Sequence, residues 1–167
     1  MTDLAETLIE DPRWDGAGLD TLAKRAAQAT LAAVGLDPKG FTISLMGCDD
    51  ARISGLNAQF RGKPAPTNVL SWPTWDLSAE VAGGLPEPAQ PGTALDPEPL
   101  GDIAIAWETC AAEALAQGKP FNDHVTHLIV HGVLHLLGYD HIDDKDASLM
   151  EGLEVRILAS LGVSDPY

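Results

Sequence analysis

The stretch HGVLHLLGYDH, from His131 to His141, holds three of the chain's five histidines at intervals of four and six residues. Imidazole is a zinc ligand, and two histidines at i and i+4 on one helical face can reach the same ion. His131 and His135 have that relation. Gly138 then ends the helix and lets the chain reverse, because glycine accepts φ > 0. The turn GYD can return His141 toward the same point as a third ligand. Three imidazoles leave a fourth position open to water, which is the catalytic arrangement of zinc. The sequence therefore predicts one zinc ion on His131, His135 and His141.

The remaining histidines are rivals. On a helix, His124, His127, His131 and His135 project within ~80° of one another. His127 and His135 stand ~12 Å apart along a straight helix, too far to share an ion. Only the pair beside Gly138 can recruit His141. His127 is assigned to supporting or packing a ligand, and His124 to the surface or the helix end. The spacing is that of the zinc-protease motif H-E-x-x-H-x-x-G-x-x-H, in which the Glu activates the metal-bound water. Gly132 occupies that place and cannot take a proton, which argues against a peptidase.

The elements that must carry these residues can be read outward from the motif. FNDHVTHLIVHGVLHLLG reads as a helix, capped at its start by Asn122 or Asp123 and ended by Gly138. LDTLAKRAAQATLAAV reads as an amphipathic helix with Leu22, Ala26, Ala29 and Ala33 on one stripe. DDARISGLNAQFRG is a helix between acidic caps and Gly62, ETCAAEALAQG one ending at Gly118, and DDKDASLMEGLEVRILASLG one ending at Gly162. FTISLMGC, TNVLSWP and GDIAIAW are the strand candidates. From Pro73 to Pro99 the chain places six of its twelve prolines among small and acidic residues. That stretch, at about 74–99, is expected to be a flexible insert, a solvated excursion or a lid rather than a domain. Interleaved helices and strands imply one α/β or α+β domain over residues 1–167 with a small mixed sheet.

Composition narrows the setting. Hydrophobic residues make up 45% and charged residues 21%, as in ordinary globular chains. Two cysteines, Cys48 and Cys110, cannot form a disulfide framework and suit a reducing compartment. MTDLAETLIEDPRW carries acids in place of a basic-then-apolar leader, and no apolar run reaches the ~20 residues of a bilayer span. A cytoplasmic protein without membrane association is expected. The net charge of −15 opposes indiscriminate binding of nucleic acid, so DNA is not an expected partner.

HGVLHLLGYDH resembles the YbeY family signature H-G-x-L-H-L-x-G-Y-D-H. FRGKPAPTNVLSWP is similar to the family's yRgkd-x-pTDVLSFP segment, LGDIAIA to its lGDI-x-Is, and MEGLEVRILASLG to its M-x3-E-x2-il-x2-lG. The likeness runs from about Ile43 to Gly162, outside the insert, in the family's order. It implies a four-stranded mixed sheet with about five to six helices and the metal at the end of a cleft. It also implies a zinc-dependent, single-strand-specific endoribonuclease, with His131, His135 and His141 on the ion and Arg61 as the functional arginine. The substrate implied is single-stranded RNA, with maturation of the 3′ end of small-subunit ribosomal RNA and ribosome quality control as its setting. The alternative is a non-catalytic assembly factor with a structural zinc, its acidic surface docked on small-subunit ribosomal proteins. A third reading is a metallohydrolase of another substrate.

This chain departs from the family pattern at Asn68, where Asp is usual, and at Trp72, where Phe is. A structural role is expected at position 68. Arg61 is either a bidentate phosphate clamp or a solvated helix-end arginine. With zinc and Lys63 it would form a local positive spot on an acidic protein. Asp140 is either an acceptor for a ligand imidazole or a turn residue. Asp102 is expected to be structural. Trp72 and Tyr139 are candidates for stacking or packing, Ser71 and Thr67 are ladder or turn residues, and Glu151 and Glu154 are assigned to the exposed or interhelical side of the last helix.

Overall fold

The computed structural model describes residues 4–167, so Met1–Asp3, where the acidic opening stretch begins, lie outside the described residues. The chain runs β1 (Ala5–Ile9), α1 (Arg13–Gly16), α2 (Leu19–Ala33), β2 (Phe41–Cys48), α3 (Asp50–Arg61), β3 (Val69–Pro73), β4 (Glu98–Ala106), α4 (Trp107–Gln117), α5 (Phe121–Leu136) and α6 (Asp144–Ser160). The sheet order is β1-β2-β4-β3. β2 pairs in parallel with both β1 and β4, and β3 runs antiparallel to β4. The mixed four-stranded sheet and six helices agree with the expected α/β class, and β3 forms a free edge.

Burial splits the two sheet faces. Ile43, Leu45, Ile103 and Ile105 face the main core with the apolar sides of α2, α5 and α6. On the other face Cys48, Leu70, Ala104 and Ala106 pack with Ile53 of α3. The buried stripe of α2 is Leu19, Ala23, Ala26, Ala27 and Leu31. Leu22 and Ala29 lie at its margin and Ala33 is exposed, so the predicted stripe was rotated on the helix. Small alanines in that stripe let α2 lie close to α5.

Two starts differ from the sequence reading. β1 was not predicted; its one buried side chain is Ala5, while Leu8 is 61% exposed. Its alternation therefore gives no apolar signal, and its place is set by parallel pairing of Ala5–Ile9 with Ile43–Gly47. α5 begins at Phe121 behind Pro120, with no side-chain cap, so neither Asn122 nor Asp123 caps it. Pro120 fixes the entry without needing a donor. By contrast Asp49 caps α3 by accepting from Arg52 N at 2.8 Å.

The Pro-rich insert has no regular structure between β3 and β4, yet it is tied to the body. Gly92 N donates to Gly40 O at 3.0 Å, and Gly83 N to Asp146 Oδ1 at 2.8 Å. Ala89 is buried in the main core. Leu77 brings its backbone against the end of α5. A Cβ on Gly138, whose φ is +102°, would lie 2.6 Å from Leu77 O. Glycine is thus required there twice, by dihedral angle and by the close approach of the insert.

Candidate metal centre and its cleft

α5 is buried along most of its length but presents His127, His131 and His135 to a cleft of about 750 Å³ beyond the β3 edge. The cleft is walled by β3 from Val69 to Trp72, by Phe60 and Arg61 at the end of α3, by the bend Asp140–Ile142, and by Tyr167. His131 and His135 lie one helical turn apart, with ring centroids 4.5 Å from each other. After Gly138 the bend returns His141, whose ring centroid lies 5.2 Å from that of His131 and 5.1 Å from that of His135. One nitrogen from each of the three lies within 4.8 Å of the others.

The hydrogen bonds fix which nitrogens point inward. His131 Nδ1 donates to Glu154 Oε1 at 2.6 Å, and His135 Nδ1 donates to Tyr139 O at 2.9 Å. Each Nδ1 thus has an acceptor, which turns each Nε2 toward the cleft. Those two Nε2 atoms stand 3.0 Å apart. Two imidazole nitrogens at that distance share either a proton or a cation. Tetrahedral zinc with nitrogen at ~2.0–2.1 Å sets neighbouring ligands roughly 3.3 Å apart. The donor set thus fits a metal ion, and His131, His135 and His141 are the residues that can hold it. Burial, then the neighbouring His131 and His141, push the His135 pKa down to about 4, so it is neutral at pH 7, as a ligand must be.

Glu154 takes the interhelical of the two places the sequence reading allowed it, facing α5. Its side chain is fully buried on α6, not exposed. It accepts from His131 and from the hydroxyl of Tyr167, and His127 Nε2 lies 3.5 Å from its Oε2. Burial pushes its carboxyl up, but hydrogen bonds from His127, His131 and Tyr167 outweigh that and hold it at about 2. An ionised, buried carboxylate behind His131 fixes the ring's tautomer and raises its basicity. A signal for it was present: Met150, Leu153, Ile157 and Leu158 form the buried stripe of α6, and Glu154 falls within that stripe.

Other assignments resolve by position. His127 Nε2 lies 3.5 Å from the Glu154 carboxylate, which in turn accepts from His131. His124 is buried rather than at the surface, with Nε2 3.0 Å from Glu113 Oε1. Asp140 is a turn residue whose Oδ1 accepts from His141 N at 2.7 Å. The imidazole acceptor in that loop is the carbonyl of Tyr139. Asp102 is exposed on β4 and lines a separate groove on the α3 side of the sheet. Arg61 lies on the cleft wall, but Lys63 is not among the residues that line it. Tyr139 lies outside the cleft, whereas Trp72 is on its wall with its ring edge-on to Phe60 at 5.5 Å.

Gly132 answers the puzzle of the missing acid. It is buried against β4, and a Cβ there would sit 3.1 Å from Ile103 Cδ1. Any side chain there would press on Ile103, so glycine suits this close turn of α5 on the sheet.

Comparison with known proteins decides the family. The family described as Endoribonuclease YbeY matches residues 9–162. The chain belongs to that family. A Cereibacter sphaeroides protein named Endoribonuclease YbeY is 62% identical over 167 residues, all of both chains. A Ruegeria pomeroyi protein of the same name is 65% identical over 159 residues, 95% of this chain and 94% of that one. The solution structure of a Thermotoga maritima protein matches with a TM-score of 0.61 at 22% identity, over 94% of this chain and 88% of that one, which speaks to the fold. Within the YbeY pattern, the departure at Asn68 has a local partner. Asn68 Nδ2 donates to Glu113 Oε1 at 3.1 Å, and its Oδ1 accepts from Val69 N at 2.6 Å. An aspartate would face the Glu113 carboxylate, so the amide suits this chain's own surroundings.

Proposed function

We propose that this chain is a zinc-dependent, single-strand-specific endoribonuclease that acts in ribosomal RNA processing, at the 3′ end of the small-subunit RNA. The observation that carries the reading is the convergence of three imidazoles, two with Nε2 turned inward by Nδ1 acceptors, in an open cleft that also holds Arg61. Relatives 56–65% identical and named Endoribonuclease YbeY support the substrate class. His141 is exposed, which suits a centre with an open position better than a closed structural zinc.

Zinc held there supplies Lewis acidity and a water of lowered pKa. The chain's own residues do the rest. Glu154 and the Tyr139 carbonyl orient His131 and His135 through their Nδ1 atoms. Arg61, exposed at the end of α3, places its planar fork on a phosphate of the strand. No side chain at position 132 takes a proton. Partners on the small ribosomal subunit and a reducing, cytoplasmic setting follow from that substrate and from two unpaired, buried cysteines.

His135→Ala tests the proposal. The purified variant should keep the wild-type circular dichroism, lose its bound zinc and lose cleavage of a 3′-extended small-subunit RNA. A variant that unfolds on losing zinc would instead favour the assembly factor with a structural ion. Wild-type protein that carries zinc yet leaves single-stranded RNA intact would sink the nuclease reading.

A further inference from the structure

We propose that the ring of Tyr167 forms a stacking subsite for one unpaired base beside the three-histidine centre. The proposal rests on the ribonuclease reading and states how the cleft grips its strand. Tyr167 lines the cleft and is 62% exposed, a large aromatic side chain left open to water. It is nevertheless fixed in place. Its hydroxyl donates to the buried carboxylate of Glu154. Its ring meets that of His127 edge to face, with centroids 5.6 Å apart and planes at 86°. The backbone behind it is tied down by Lys119 Nζ donating to Pro166 O at 3.0 Å and by Tyr167 N donating to Asp165 Oδ1 at 2.8 Å.

The hydroxyl is therefore occupied, and the ring face is what the residue has left to offer. A ring ordered before binding loses little side-chain entropy when a ligand arrives. Bases stack on aromatic faces whatever their identity, and one stacked base is worth roughly 5- to 100-fold in affinity. His127 precedes His131 by one helical turn, ~6 Å. The Glu154 carboxylate that holds the Tyr167 hydroxyl also accepts from His131, so a base on Tyr167 lies close to a phosphate at the centre. A base inside a duplex is stacked on its neighbours and has no such face free, so the subsite selects single strands. The sequence's own stacking candidates serve less well: Trp72 is packed edge-on by Phe60, and Tyr139 lies outside the cleft.

The test measures binding of a short, fluorescein-labelled phosphorothioate RNA to the zinc-loaded full chain by anisotropy. Tyr167→Ala should bind roughly tenfold more weakly. Tyr167→Phe, which keeps the ring, should recover affinity to within about threefold. A scan of abasic nucleotides along the strand should find one position that costs the wild type about as much, and costs Tyr167→Ala nothing further. The scan on wild-type protein reads the subsite even where the alanine variant folds poorly. Equal binding by Tyr167→Ala and wild type would overturn the proposal. So would Tyr167→Phe binding as weakly as Tyr167→Ala, or zinc loss from Tyr167→Ala, because the residue would then act through Glu154. Wild-type protein that shows the Tyr167-dependent binding but never cuts ordinary RNA leaves the subsite standing and refutes the nuclease reading instead.

Discussion

Glu154→Gln keeps the side chain's volume and reach and removes its charge. Glu154 has no exposed surface, and its carboxyl is held at about 2 against an ordinary 4.5. At 1.36 kcal/mol per pKa unit, the ionised form is favoured over a neutral one by up to ~3 kcal/mol. That preference is divided among His127, His131 and Tyr167. The bond to His131 Nδ1, at 2.6 Å, is the part that acts on a metal-binding ring. Its share is about 1–2 kcal/mol, the usual difference between a charge-assisted and a neutral hydrogen bond. At 1.4 kcal/mol per tenfold, the variant should bind zinc roughly 5- to 30-fold more weakly. Competition against a chromophoric chelator measures this, with far-UV circular dichroism to confirm that α6 is intact. A folded variant that matches the wild-type zinc affinity within about twofold would refute the reasoning, because outer partners of metal-binding histidines normally cost ~10- to 100-fold.

Arg61→Ala should lower kcat/KM on single-stranded RNA roughly 5- to 30-fold, the worth of one partly solvated charge-assisted contact, while zinc content stays at wild type; loss of zinc would refute its role on the phosphate. Arg61→Lys should restore only part of the activity, because an ammonium lacks the bidentate fork. Gly132→Glu should lower the melting temperature by about 10 °C, since it forces a carboxylate without a partner against Ile103 at a cost of at least ~3 kcal/mol; an unchanged melt would show that α5 and β4 are looser than described. For zinc-free protein, acid should destabilise continuously. The His135 pKa falls from 6.5 to about 4 on folding, and that of Glu154 from 4.5 to about 2. Between each pair of values the unfolded chain binds more protons, so the stability these groups supply is present above the higher value and lost as pH falls to the lower. Each contributes up to ~3 kcal/mol. Melting temperatures of the chelated protein that rise between pH 7 and pH 5 would contradict this.

The parts of the site that follow a helical period were legible in the sequence. His131, His135, Gly138 and His141 lie where their spacing placed them, because an i, i+4 pair followed by a glycine bend leaves few other arrangements. Residues brought in by tertiary contact were harder to read. Glu154 and Tyr167 come from 23 and 36 positions beyond His131, counted along the chain, and only an acid within an apolar stripe hinted at the first. β1 escaped because a parallel edge strand with one buried side chain carries no alternation. The insert's composition correctly implied no helix or strand between β3 and β4, yet composition cannot show that Leu77 lies against Gly138 and braces the bend that carries His141.

The net charge of −15 looks hostile to an RNA substrate, but distance settles the matter. At physiological salt, charges beyond ~8 Å of a bound phosphate are largely screened. What counts is the cleft itself, where Arg61 is the one Lys or Arg and Asp140 the one acid among the described lining residues. Those two roughly cancel, and the buried Glu154 carboxylate behind His131 adds one negative charge. The local potential then depends on what the imidazoles hold: a divalent ion would turn this slightly acidic cleft into a cationic one. RNA affinity should therefore rise with metal occupancy, and equal binding of single-stranded RNA by the zinc-loaded and chelated protein would contradict this.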